Sequence, residues 1–424
     1  MLANMNTQRK CLSALFCWRL ELLGMIVAVL VVGSTGCSNS STLTPVASED
    51  AGATELDSEP RTDSGTEIDL SSEVDSSPEL KLESGPALAL PKYHYGIVEQ
   101  LARPSSRQTV AEFEATLASL NKIHDHPLYS MAYEGDYEIQ PEKLFRAGQA
   151  ASTPDFGCSL FYQYQKDQPV FGRNFDWDSH PAMILFTRPL GRYASVSMVD
   201  TAYLGFSLDD LKAFDSKTQQ RACVEATQIP LDGMNEHGLT IGVAVVPAKQ
   251  IRDDPEVPNA HALHMVRLIL DTAKNVAEAK SIFERYDVVF TGAPHVHFLL
   301  GDAKGQSMVV EIGNGDTTYL VNDATVAGAE NWQSATNFHL REEENPVAQC
   351  PRFAQLKETL TATDPVDLKP MKLLSKVANS STQWSAVYYP GQGKVDVVMG
   401  RDYENALKFE LKDKANLVRP KLKD

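Results

Sequence analysis

GCSLFYQYQKDQPVFGRNFDW, residues 157–177, reads as two strands about a polar turn. Residues 158–165 and 169–177 flank Lys166-Asp167-Gln168, and both flanks are rich in the aromatic and β-branched residues that suit strands. Folded antiparallel about Asp167, the pair places Cys158 opposite Asp176, with Arg173 close by on the same strand. Facing residues in such a pair have Cβ atoms roughly 4.5–5.5 Å apart. A slip of register would bring Arg173 opposite the cysteine instead. In either register a thiol, a guanidinium and a carboxylate converge at one end of a sheet.

That convergence suits nucleophilic chemistry. A free cysteine has a pKa of about 8.5, and a neighbouring cation lowers it. A cysteine at a chain terminus also has its own α-amine, whose pKa of about 7.7–8.0 lies near operating pH. Terminal nucleophiles of this kind activate themselves through that amine. Asp176 would hold the amine by a charge-assisted hydrogen bond, and Arg173 would steady the thiolate or an acyl carbonyl. To expose the amine, the Gly157–Cys158 bond must break. Glycine has no Cβ to obstruct attack on its carbonyl and tolerates a strained backbone. The expectation is an S-acyl shift followed by hydrolysis.

Working outward, TVAEFEATLASLNKI (109–123) carries Val110, Phe113, Leu117 and Leu120 on one helical face. Residues 261–286 read as two helices with a junction between Asp271 and Asn275. HVHFLLGDAKGQSMVVEI (295–312) is a hairpin turning at residues 302–305, and TQWSAVYYPGQGKVDVVM (382–399) is another turning at 390–393. Strand pairs, a helical pair and further strand pairs imply an α+β fold with antiparallel sheets.

The 424-residue chain has a formal charge of −17, which argues against a nucleic-acid partner because a phosphate backbone recruits Lys and Arg. Residues 1–36 read as a signal peptide, with Arg9, Lys10 and Arg19 ahead of an apolar run from Leu22 to Val32. The ending Gly33-Ser34-Thr35-Gly36-Cys37 resembles a bacterial lipoprotein signal, although Ser34 stands where leucine is usual. Cys37 would then carry lipid and tether the protein to a membrane on the extracytoplasmic side. Residues 37–90 form an acidic Ser/Thr/Asp/Glu/Pro/Gly-rich spacer too poor in large apolar groups to fold. Residues 91–157 are then a leader, or small subunit, and 158–424 the catalytic part. Of six cysteines, Cys158, Cys223 and Cys350 remain after the signal and the lipid site, so at least one thiol is free; the other two could pair or stay apart.

Other groups have simpler readings. Asn235-Glu236-His237-Gly238 is a tight turn with Gly238 at positive φ. His261 with His264, and His295 with His297, are spaced as metal ligands could be, but no third ligand accompanies them and no metal or other cofactor is expected. A papain-like pair would need a distant histidine such as His339. Trp177 and Trp384 are core residues, one of which could line an acyl pocket.

GCSLF, FGRNFDW and DGMNEHGLTIGVAVV (232–246) together resemble the N-terminal-nucleophile (Ntn) hydrolases of the choloylglycine hydrolase and linear amide C–N hydrolase group. That group includes peptidase family C45 and relatives of acyl-CoA:6-aminopenicillanic-acid acyltransferase. SATNFHL (334–340), CPRFAQLKETL (350–360) and TQWSAVYY (382–389) match in order and spacing, so the likeness spans roughly residues 125–405. The resemblance implies an αββα four-layer sandwich and hydrolysis or transfer at a non-peptide amide. It implies Cys158 as nucleophile with Arg173 and Asp176 around it. It implies Asn337 as a ligand of the terminal amine or the oxyanion, and Arg352 as a later active-site arginine. Where bile-salt hydrolases place an oxyanion-binding asparagine, this chain has Val245, so backbone N–H groups and Asn337 would have to serve.

The expected activity is that of a self-cleaving cysteine amidohydrolase acting on a small-molecule N-acyl amide through an acyl-thioester at Cys158. The alternatives are acyl transfer from the same intermediate, or a non-catalytic lipoprotein that binds small ligands. The candidate substrates are N-acyl amino acids, penicillin-type side chains, acyl homoserine lactones and conjugated bile acids. A homo-oligomer is compatible with the sequence.

Overall fold

The computed structural model describes residues 107–139, 157–165, 168–204, 221–291, 293–362 and 364–412. The expected signal peptide, Cys37 and the spacer lie outside the described residues. Seventeen strands are described. They are β1 (Asn121–His124), β2 (Leu128–Tyr133), β3 (Gly157–Gln163), β4 (Val170–Asp176), β5 (Ala182–Thr187), β6 (Ser195–Asp200), β7 (Asp232–Asn235) and β8 (Thr240–Val245), then β9 (Asn259–His261), β10 (Asp287–Val289), β11 (Val296–Gly301), β12 (Gln306–Gly313), β13 (Asp316–Asp323), β14 (Trp332–Ala335), β15 (Thr382–Tyr389), β16 (Lys394–Met399) and β17 (Leu407–Glu410). One sheet has nine strands in the order β1-β2-β5-β6-β7-β8-β11-β12-β13, a second has six in the order β14-β3-β4-β15-β16-β17, and β9 pairs with β10 alone. Pairing is antiparallel except for β2 with β5 and β9 with β10.

The two large sheets stack face to face. Leu160, Tyr162 and Phe171 of the six-stranded sheet share one core with Ile241, Phe298 and Val310 of the nine-stranded sheet. The approach is so close that a Cβ on Gly301 would overlap the Tyr162 ring. Helices α1 (Val110–Ala118), α2 (Ala262–Thr272) and α3 (Val276–Phe283) pack on the nine-stranded sheet, while α4 (Pro351–Ala362) and α5 (Pro370–Lys376) pack on the six-stranded sheet. This is the αββα arrangement.

The expected hairpins and the two-helix segment form within about three residues of their sequence bounds. Gly238 takes φ +77° as its turn requires. The helix expected over 109–123 is shorter. It ends at Ser119, whose hydroxyl donates to the Thr116 carbonyl, and Asn121 onward forms β1. Its start is a capping box between Thr109 and Glu112. Val110, assigned to the apolar face, is 69% exposed.

Of the residues ahead of Cys158, the described stretch 107–139 is built into the nine-stranded sheet. β2 pairs with β5 along six residue pairs, from Leu128–Ala182 to Tyr133–Thr187. Past β2, the Tyr137 hydroxyl donates to both oxygens of Asp271 at 2.9 Å. Asp271 also accepts from Arg192 at 2.8 Å and from Arg267 at 3.2 Å, and Arg267 and Asp271 are fully buried. Removing one partner of a buried charged network leaves an uncompensated ion, at a cost of about 3–5 kcal/mol. Asp271→Ala is therefore expected to lower the unfolding free energy read from urea titration by that margin. A loss under about 1 kcal/mol would mean that the network contributes little to stability.

Candidate active site

β3 and β4 are adjacent and antiparallel, but the register differs by one residue from the expectation. Cys158 faces Phe175, Leu160 faces Arg173, and Asp176 faces Gly157. Side chains alternate along a strand, so a one-residue slip moves a group to the other face. Cys158 and Arg173 therefore share the face turned toward the nine-stranded sheet, whereas Asp176 joins the face covered by α4 and α5.

On the inner face, Arg173 Nη2 donates to Cys158 Sγ at 3.5 Å and to the Val243 carbonyl at 3.3 Å. Its Nη1 donates to Asp232 Oδ2, and the Tyr388 hydroxyl donates to Asp232 Oδ1. Arg173 and Asp232 are fully buried. Burial opposes the guanidinium charge, but Asp232 together with the cysteine outweighs it, and the pKa of Arg173 moves up. The thiol thus lies beside a fixed cation. Phe175 stacks on Trp384 with centroids 4.0 Å apart, and the Arg173 guanidinium lies 4.9 Å from the Phe175 centroid. Cys158 opens into an apolar pocket lined by Phe175, Trp177, Tyr203, Leu231, Val245 and Leu263. Trp177 lines that pocket, and Trp384 is core.

A second cluster surrounds the backbone of Cys158. The Cys158 backbone N–H donates to Asn337 Oδ1 at 2.7 Å, and the Asn337 side-chain amide donates to the Val245 carbonyl at 2.8 Å. Arg352, at the start of α4, donates to the same Asn337 oxygen at 2.7 Å, to the Cys158 carbonyl at 2.6 Å and to the Ser159 hydroxyl at 3.0 Å. Its guanidinium covers Gly157 so closely that a Cβ there would meet Nη2 at 2.7 Å. Asn337 is held in turn through its neighbour. His297 Nε2 meets the Thr336 carbonyl at 2.6 Å, and Glu311, 3.4 Å from His297 Nδ1, accepts the Leu340 and Arg341 N–H groups.

Asp176, expected to hold the amine of Cys158, does not do so here. Its carboxylate accepts from Thr382 at 2.6 Å, from Asn379 at 3.0 Å and from Arg352 at 3.5 Å. Burial pushes its pKa from 3.8 up to about 6, against the opposing effect of those donors. The folded state thus binds this proton more tightly than the unfolded chain. The resulting stability is full below about pH 4 and lost as pH rises through about 6, by about 3 kcal/mol. Urea unfolding from pH 4 to pH 7 should show that fall in the native protein and not in Asp176→Asn. Parallel curves for the two proteins would exclude the shift.

Of the other candidates, His339 Nε2 donates to the Pro247 carbonyl at 3.0 Å and is not paired with Cys158. Cys223 and Cys350 are not joined in a disulfide; Cys223 is buried and its pKa is pushed up to about 12 by burial. Sequence reading missed Asp232, Tyr388 and Tyr203. Asp232 lies three residues ahead of the Asn235–Gly238 turn, and its burial, which sets its role, is not visible in the sequence.

Residues 164–345 match the family model described as acyl-coenzyme A:6-aminopenicillanic acid acyl-transferase. The match contains Arg173, Asp176, Asp232 and Asn337, and it falls in the same group as the resemblance carried by the motifs. An uncharacterized protein of Paramecium bursaria Chlorella virus 1 is 38% identical over 101 residues, which is 22% of this chain and 36% of that protein. The chain therefore spans about a third of that relative's length. Among solved structures, penicillin V acylase from Agrobacterium tumefaciens is similar at 17% identity, covering 61% of this chain and 87% of that one, with a TM-score of 0.43. A variant of the conjugated bile acid hydrolase from Clostridium perfringens is similar at 14% identity, covering 62% and 95%, with a TM-score of 0.44.

Proposed function

From the family match over residues 164–345 and the geometry around the thiol, we propose that this protein is a self-activating cysteine amidohydrolase of the Ntn type. The supporting observation is the placement of Cys158. Its sulfur lies 3.5 Å from a buried guanidinium and opens on an apolar pocket, while its own nitrogen is held 2.7 Å from Asn337. Once the Gly157–Cys158 bond is cut, that nitrogen becomes an α-amine and takes the thiol proton. The sulfur adds to the amide carbonyl, the leaving amine departs with the proton, and an acyl-thioester remains. Water, deprotonated by the same amine, then releases the acid. Arg173 stabilises the thiolate by charge. The pocket lining fits an apolar acyl group.

The matching family model is named for acyl transfer, which favours a second reading in which an amine replaces water. Product analysis with and without an added amine separates the two. The proposal itself is tested by intact-mass spectrometry of the purified protein. Two polypeptides are expected, the larger beginning at Cys158, held together by the β2–β5 ladder and the Tyr137–Asp271 contact. A fully active single chain continuous through residues 157–158 would overturn it.

A further inference from the structure

The pocket around Cys158 is also lined by Tyr203, whose hydroxyl the chemistry above does not use. Tyr203 lies in the one-turn helix Thr201–Leu204 that follows β6. That turn is anchored at three points. Thr201 donates to the Pro181 carbonyl through its hydroxyl at 2.6 Å and its N–H at 3.2 Å. The Ala202 N–H donates to Asp200 Oδ1 at 2.9 Å. Asp200 Oδ2 faces His180 Nδ1 at 3.3 Å, and both residues are buried. So anchored, the turn presents Tyr203 to the pocket that Cys158 and Arg173 also line.

An acyl-transfer site must stabilise negative charge on the carbonyl oxygen when sulfur adds to the carbon, and fixed donors are the usual means. Most donors nearest the thiol are committed elsewhere. Arg173 gives Nη1 to Asp232 and Nη2 to Val243 and the sulfur, which leaves its buried Nε–H without a partner, and Asn337 gives one N–H of its side-chain amide to the Val245 carbonyl. Val245 has no side-chain donor. Among the described residues, the Tyr203 hydroxyl has no hydrogen-bond partner. Burial, followed by the nearby Asp200 and Cys158, drives its pKa well above the ordinary value, so the phenol keeps its proton at neutral pH.

We infer that Tyr203 is a further catalytic residue whose hydroxyl donates a hydrogen bond to the substrate carbonyl oxygen as Cys158 adds to the carbon. As the S–C bond forms, the carbonyl π pair moves onto oxygen, and the phenol binds that oxyanion without transferring its proton. When the oxyanion collapses, the pair returns to the carbonyl and the leaving group departs. The inference rests on the reading of Cys158 as nucleophile.

The test compares two reactions at one sulfur. Acylation by p-nitrophenyl butyrate passes through an oxyanion and releases a burst of p-nitrophenol, whereas alkylation by iodoacetamide forms no oxyanion. Tyr203→Phe should slow the burst by about a hundredfold. Alkylation of Cys158 should stay within about twofold of the native rate. If acylation is unchanged, or both reactions slow equally, Tyr203 is only part of the pocket wall. The inference then fails while the reading of Cys158 stands. If the native protein gives no burst that Cys158→Ala removes, that reading fails and this inference with it.

Discussion

Cys158→Ala is expected to yield a chain that stays whole and releases no acid from any N-acyl substrate. The loss in turnover should be on the order of 10⁶-fold, the size seen when a nucleophile is removed from a site whose groups act as a unit. The fold should survive. Cys158 is 2% exposed and packs in the core, and trimming a thiol to a methyl leaves only a small cavity. The β3–β4 backbone ladder does not depend on that side chain. Denaturing electrophoresis shows whether the chain remains intact, and a coupled assay for the released acid gives the rate. A variant still cut at the same bond would assign processing to another protease. A variant cut and fully active would remove Cys158 from the chemistry altogether.

The second large effect is expected at Gly157, in maturation alone. A Cβ there would lie 2.7 Å from Nη2 of Arg352 and 2.9 Å from its Cζ, inside any real contact distance. The flexible guanidinium would give way, since Gly157 is paired with Asp176 of β4 and the strand beyond it, from Leu160, is held by both β4 and β14. In moving, Arg352 would release the Cys158 carbonyl and the Asn337 oxygen together. Misplacement of about 1 Å in a reacting constellation can cost on the order of a hundredfold. Gly157→Ala should therefore slow self-cleavage by about that factor, followed as the disappearance of full-length chain with time. Gly157 becomes the free C-terminus of the smaller polypeptide and has no part in the acyl-thioester steps, so whatever protein does mature should turn over at the native rate. An equal loss in both steps would mean that the substitution disturbs the thiol itself and not the arginine above it. Cleavage at the native rate would mean that Arg352 plays no part in maturation.

How far the site was legible varies by residue. Cys158 and Arg173 lie on neighbouring strands of a short hairpin, so their proximity follows from local strand pattern and a turn. Asp176 lies on the same hairpin and was still misplaced. Its position depends on the parity of the turn, and strand periodicity converts an error of one residue into a change of face. Asn337 and Arg352 were found only through the resemblance of their motifs, since nothing within either motif points to Cys158. Asp232, Tyr388 and Tyr203 were not found. Each reaches the site from a separate strand or turn, and Tyr203 is adjacent to the pocket only because β6 lies in the sheet stacked over β3.

The chain's own pattern determined the hairpins, the paired helices and the nucleophile candidate, because those depend on side-chain period and turn chemistry within a few dozen residues. The tertiary structure decided which charge meets the sulfur, which residue holds its nitrogen and what faces the pocket. Those contacts join residues up to 179 positions apart, as between Cys158 and Asn337. They exist only once two sheets have closed on a common core, and no local periodicity encodes that closure.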